Sequence, residues 1–124
     1  FRSALGTLDY AAPELLSSGN GDESSDLYSS AVTLFELITR ALPFSGESLT
    51  EQLNRKLTGV RTPLDRFVDF DTSDFEKFFD RALAPDPSRR FNSAAEMRGW
   101  VEQLIQRKVY QKKRFTAVGT ARSA

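Results

Sequence analysis

The stretch from Asp26 to Arg40 constrains this chain more than any other. Its apolar residues are Leu27, Tyr28, Ala31, Val32, Leu34, Phe35, Leu37 and Ile38. On a helical period they cover nearly every face. A helix that is apolar all round has to be buried on all sides, so the pattern predicts a central pillar around which the rest of the chain packs. Ser24 or Ser25 is the expected N-cap, and Asp26 suits the positive helix start. Ala41-Leu42-Pro43-Phe44 ends the helix.

The other elements read as helices separated by turn chemistry, and strand signals are weak. A short helical turn follows Pro13, a residue suited to a first helical position. The run Ser17-Ser18-Gly19-Asn20-Gly21 stops it. Three further helices each open with serine followed three residues later by glutamate: Ser48/Glu51, Ser73/Glu76 and Ser93/Glu96. That spacing predicts capping boxes. The first of these helices runs to about Leu57 and stops at Gly59. The second carries Phe75, Phe78, Phe79, Ala82 and Leu83, and the third Met97, Trp100, Val101, Leu104 and Ile105, each as one apolar stripe. Val60 to Thr72 has no clean period and reads as a loop anchored by Phe67 and Phe70. The expected fold class is all-α.

Composition narrows the chemistry. With 40% hydrophobic and 27% charged residues, 124 residues can build a globular core. There are no cysteines and no histidines, which excludes disulfides, thiol catalysis, histidine general bases and almost all zinc chemistry. No apolar run reaches the ~18 residues of a membrane span. Charge is uneven: Arg107, Lys108, Lys112, Lys113, Arg114 and Arg122 follow residue 106 with no acid among them, so residues 1–106 carry a net charge of −6. This predicts a body over 1–106 and a basic tail or linker over 107–124, a tail able to touch an anionic membrane. Nucleic acid is not an expected partner. The chain opens on Phe1 and holds a single methionine, Met97, from which a piece of a longer protein is expected.

Three segments in order resemble the protein kinase family. Gly6-Thr7-Leu8-Asp9-Tyr10-Ala11-Ala12-Pro13-Glu14 resembles the end of a serine/threonine kinase activation segment, G-T-x-x-Y-x-A-P-E. Ser25-Asp26-Leu27-Tyr28-Ser29-Ser30-Ala31-Val32-Thr33-Leu34-Phe35-Glu36-Leu37, followed by Leu42-Pro43-Phe44, resembles the family's S-D-x-W-S-x-G-V-x-L-x-E-L…P-F helix. Leu83 to Met97, with Asp86-Pro87-Ser88-Arg89-Arg90-Phe91, resembles the D-P-x-x-R segment before the last kinase helix, in the style of bacterial kinases. The resemblance implies a partial kinase fold: the helical C-lobe from the end of the activation segment onward.

It also implies roles. Gly6, Thr7, Tyr10, Ala12 and Pro13 would form the substrate-facing loop, with Thr7 reading a serine or threonine acceptor. Ser3 is a candidate activating phosphosite. Glu14 and Arg90 would form a buried ion pair, the guanidinium gripping the carboxylate with two bonds. Asp26 would hold the backbone of the catalytic loop. Tyr28 stands where tryptophan is usual, Ala31 where glycine is usual and Leu8 where proline is common. Ala31 is expected on the face that approaches the catalytic loop.

The glycine-rich loop, the strand lysine, H-R-D and D-F-G are not in this sequence. The chain alone is therefore expected to bind no cofactor, with ATP and Mg belonging to the intact parent. Expected partners are the missing N-terminal part of the kinase domain, a protein substrate and, through the uncovered face, a second copy of itself. The expected compartment is the cytoplasm, including the cytoplasmic side of a membrane-anchored parent. Two alternatives stand beside this reading: a pseudokinase-derived scaffold, and an unrelated helical signalling domain, which would lack a Glu14–Arg90 contact.

Overall fold

A computed structural model describes the backbone of residues 8–123 and the side chains of residues 8–108. Ser3, Gly6 and Thr7 lie outside the described residues. Five helices lie wholly within the described residues, in order: α1 Pro13–Ser18, α2 Glu23–Thr39, α3 Leu49–Thr58, α4 Ser73–Ala82 and α5 Ala94–Ser123. Short 3-10 turns at Leu64–Arg66 and Pro87–Arg89 flank α4. All regular structure among the described residues is helical, as expected.

Helix α2 is the pillar. Tyr28, Ala31, Val32 and Phe35 are fully buried along it. Phe35 meets Phe79 of α4 edge-to-face at 5.2 Å between ring centres, and Phe78 passes the contact on to Phe91 at 5.4 Å. Each such ring contributes about 1.5–3 kcal/mol by leaving water, so α4 docks chiefly through this pair of phenylalanines. Leu83, Phe91, Met97 and Leu104 complete the core.

The pillar is not buried all round. Asp26, Ser30, Thr33 and Leu37 are exposed and fall at i, i+4, i+7 and i+11, one open face; Leu37 is 75% exposed. Ala31 does not lie on that face. It sits fully buried in the core cluster, among the apolar positions of the pillar. The N-cap also differs. Asp22 caps α2, its Oδ1 accepting from the Ser25 amide at 3.1 Å, while the Ser25 hydroxyl accepts from the Asp22 amide at 3.4 Å. Ser25 is therefore the N3 half of the capping box, and Ser24 and Ser25 are both inside the helix.

The other caps form in part. Ser48 and Ser93 accept from the amides of Glu51 and Glu96, each at 3.1 Å. The Ser73/Glu76 box does not form. Glu76 is drawn to a stronger set of donors, the Leu64 amide at 2.8 Å and the guanidinium of Arg61. Arg61 also binds Asp80 at 2.8 Å, which ties the Val60–Thr72 connection to α4. Leu64, fully buried, anchors that connection; Phe67 and Phe70 are 42% and 37% exposed. In α5 the buried stripe is narrower than expected, with Trp100 and Ile105 exposed. The backbone of α5 continues without a break past residue 106. Arg107 reaches Asp74 at 3.5 Å, and Lys108 lies 3.8 Å over the Phe70 ring.

Gly19 and Gly59 close α1 and α3 in the left-handed conformation that glycine adopts without cost. Arg40 closes α2 at φ 59° without that freedom. Arg40→Gly is expected to raise stability by about 0.5–1 kcal/mol, read by chemical denaturation. A loss of stability would show that the arginine side chain earns its strained place.

Candidate functional site

The best-defined polar centre joins α1 to the loop before α5. Pro13 starts α1 and puts Glu14 in its first turn. Asp86 caps the Pro87–Arg89 turn through the Ser88 amide at 3.0 Å, and this turn delivers Arg90 inward. The Arg90 guanidinium grips Glu14 with two bonds, 2.7 Å to Oε2 and 2.9 Å to Oε1. Its Nε donates to the Ala84 carbonyl at 2.8 Å, and its plane lies 4.7 Å over the Tyr28 ring. The Ser25 hydroxyl donates to Glu14 Oε2 at 2.8 Å, so the α2 cap and the ion pair share one residue. Arg90 is 1% exposed while the Glu14 side chain is 24% exposed.

These contacts set the acidity of Glu14. Burial alone would push its pKa up. The hydrogen bonds from Arg90 and Ser25 and the guanidinium charge outweigh burial and bring it down to about 2. Tyr28 supplies the ring beneath the cation, but its hydroxyl is buried without a partner. A tyrosine at this position thus keeps the cation–π contact at the cost of one unsatisfied donor.

The segment leading into α1 is clamped from two sides. The Tyr10 hydroxyl donates to Glu36 Oε1 of α2 at 2.6 Å, and that bond to the carboxylate pushes the phenol pKa up. Ala12 and Pro13 are buried. From α3, the Lys56 ammonium donates to the carbonyls of Leu8 (2.9 Å), Asp9 (3.3 Å) and Ala11 (2.8 Å). Gln52, one turn earlier, donates to Asp9 Oδ1 at 2.7 Å and to the Phe44 carbonyl at 3.3 Å. Burial pulls the Lys56 pKa down to about 8, with the Asp9 carboxylate pulling the other way, so the ammonium is charged at neutral pH.

Of the residues singled out by sequence, the structure brings Glu14 and Arg90 into contact and places Tyr10, Ala12 and Pro13 in one segment beside them. Asp26 stands apart, its carboxylate on the open face of α2. Sequence reasoning missed Lys56 and Gln52. No local signal sets them apart: Gln52 and Lys56 lie at i, i+4 and each is three residues from a leucine, Leu49 and Leu53, so the helical period alone does not turn them inward. Among the described residues no group of three or more acidic side chains converges as a metal site.

The clasp predicts an asymmetric mutational response. Glu14→Ala strands a buried guanidinium and is expected to cost about 3–5 kcal/mol, whereas Arg90→Met costs less because Glu14 can turn to water. Equal losses in denaturant titrations would contradict this. The acid limb checks the same pair. A carboxylate whose folded pKa is depressed stabilises fully above its ordinary value, 4.5, and loses that contribution as pH falls toward about 2. The stability gap between the wild type and Glu14→Gln should therefore narrow over that window.

Comparison with known proteins agrees with this geometry. The protein kinase domain family matches residues 1–110. The serine/threonine-protein kinase PrkC of Bacillus subtilis is 30% identical over 114 residues, covering 92% of this chain and 18% of PrkC. PknL of Mycobacterium tuberculosis is 30% identical over 102 residues, covering 82% of this chain and 26% of PknL. Arabidopsis thaliana WAG2 is 35% identical over 94 residues, covering 75% of this chain and 19% of WAG2. A crystal structure of the Rad53 kinase domain and SCD2 superposes with a TM-score of 0.62 at 28% identity, covering 74% of this chain and 35% of that one. The chain thus spans about a quarter or less of the length of these kinase relatives. Its matched motifs, its helical order and the clasp between Glu14 and Arg90 place it, as a C-lobe fragment, in the protein kinase domain family.

Proposed function

We propose that this chain is the peptide-reading part of a serine/threonine protein kinase that transfers phosphate from Mg-ATP to protein hydroxyls. The nucleotide-binding and catalytic-loop parts lie outside its sequence. The observation that carries the reading is the bidentate Glu14–Arg90 clasp, which fixes the α1 end of the Tyr10–Pro13 segment to the helical body. On this reading residues 1–106 are the kinase body and 107–124 its basic extension. Gly6 and Thr7 continue the peptide-binding loop, with Thr7 at the acceptor hydroxyl, and Ser3 takes an activating phosphate. A silent scaffold has no support among the relatives named above, which are serine/threonine-protein kinases. An unrelated helical domain is excluded by the family match and by the clasp itself.

Asp26 supports the catalytic loop in this reading. Its exposure on the open face of α2 leaves its carboxylate available to backbone donors of a covering segment. The test uses radiolabelled ATP. The chain alone should transfer no phosphate to a peptide, and the chain joined to the residues encoded ahead of it should. In that longer form Asp26→Ala is expected to lower kcat by about tenfold or more. In the chain alone the same change should cost under about 1 kcal/mol, the range of an exposed helix-start charge. Transfer by the isolated chain would overturn the proposal.

The same open face gives a reason for self-association. Leu37, 75% exposed, continues the stripe from Asp26. Light scattering over a concentration series should show mass rising above 13.9 kDa, and Leu37→Lys should suppress the rise. A strict monomer throughout would count against it. The described residues contain no helix long and apolar enough to cross a membrane.

A further inference from the structure

We infer that Lys56 is a positioning residue for the peptide-reading segment, acting through the backbone of Leu8 to Ala11; this rests on the reading of that segment given above. The geometry is specific. An ammonium has three donors and no acceptor, and here all three meet carbonyl oxygens of one short segment, at 2.8–3.3 Å. Lys56 is fully buried, so water cannot stand in for any of these bonds. Carbonyls of Leu8, Asp9 and Ala11 cannot all point at one atom in an extended strand. Converging on Lys56 forces the segment into a turn, and the Ala11 amide closes it by donating to the Leu8 carbonyl at 3.2 Å.

The side chains of that segment, each half-buried, are then held in one arrangement. Gln52 holds the Asp9 carboxylate from the same helix, and Tyr10 is held by Glu36 from α2. Backbone shape is thus set from α3, and side-chain direction from both helices. The Glu14–Arg90 clasp fixes only the far end of the segment, at α1. Lys56 sets the shape of the stretch before it, which no interaction of Arg90 reaches. The two anchors are therefore separable by mutation.

Amide hydrogen exchange on the full chain provides the first measurement. Lys56→Met keeps the length of the side chain and removes its donors. Exchange at the Ala11 amide is expected to rise by about tenfold or more, while amides in the middle of α4 change by less than about twofold. An unchanged Ala11 amide would overturn the assignment, as would a rise shared equally by α4, because Lys56 would then serve only global stability. Should Lys56→Met fail to fold, Lys56→Gln takes its place. Its shorter side chain keeps two donors and cannot meet all three carbonyls, so Ala11 exchange is expected to rise by about threefold; no rise there overturns the proposal.

A second measurement uses the longer, phosphorylating form and a serine peptide that it accepts. Lys56→Met should raise the peptide KM by about tenfold with the KM for ATP unchanged, since the loop orients peptide and not nucleotide. A loosened Ala11 amide with an unchanged peptide KM would refute the peptide-reading role of the segment. A protected amide would refute the role of Lys56 alone. The two failures are thus distinguishable.

Discussion

One guanidinium organises this molecule. Arg90 is buried almost completely, and a buried charge is tolerated only where its donors are met. Glu14 takes two of them, Ala84 a third, and the Tyr28 ring covers the flat face. Each partner comes from a different part of the chain: the first helix, the turn before the last one, and the pillar. Neither α1 nor α2 could be repositioned without opening the set. The desolvation cost of the cation thus becomes a geometric requirement on three segments at once. That requirement places the α1 end of the Tyr10–Pro13 segment against the body.

Helix α3 meets a different requirement by inverting the usual pattern. It buries Gln52 and Lys56 and exposes Leu49 and Leu57. What it packs against is backbone, and backbone carbonyls need donors more than they need apolar cover. A leucine face turned inward would have left the oxygens of Leu8, Asp9 and Ala11 dry and unpaired.

That inversion explains where the sequence could be read and where it could not. The pillar, the aromatic stripe of α4, the stops at Gly19 and Gly59 and the Glu14–Arg90 pair were legible, because apolar period, turn chemistry and motif each point one way. Lys56 was not, since a lysine on an amphipathic helix ordinarily belongs to the wet side, and only the tertiary neighbour reverses that. The same holds for Glu76, whose capping role gave way to Arg61 from a distant loop, and for Leu37, apolar yet open. The α2 cap falls at Asp22 rather than at Ser24 or Ser25, because the Asp22 carboxylate accepts from the Ser25 amide and the Ser25 hydroxyl closes the box. For Lys56 and Glu76 a partner remote in sequence outcompeted a local rule.

The clasp also has a consequence for how the polypeptide comes into being. Glu14 and Arg90 are 76 residues apart, and everything between them must be made before they can meet. At about 5–20 residues per second, a nascent chain carries its first helix without its counterpart for roughly 4–15 s. During that interval α2 has no Arg90 cation beneath its Tyr28 ring and no α4 against Phe35. The helices around Glu14 and Tyr28 thus wait, sticky and unfinished, for Arg90, and ribosome-bound chaperones would find their work there rather than at the later helices.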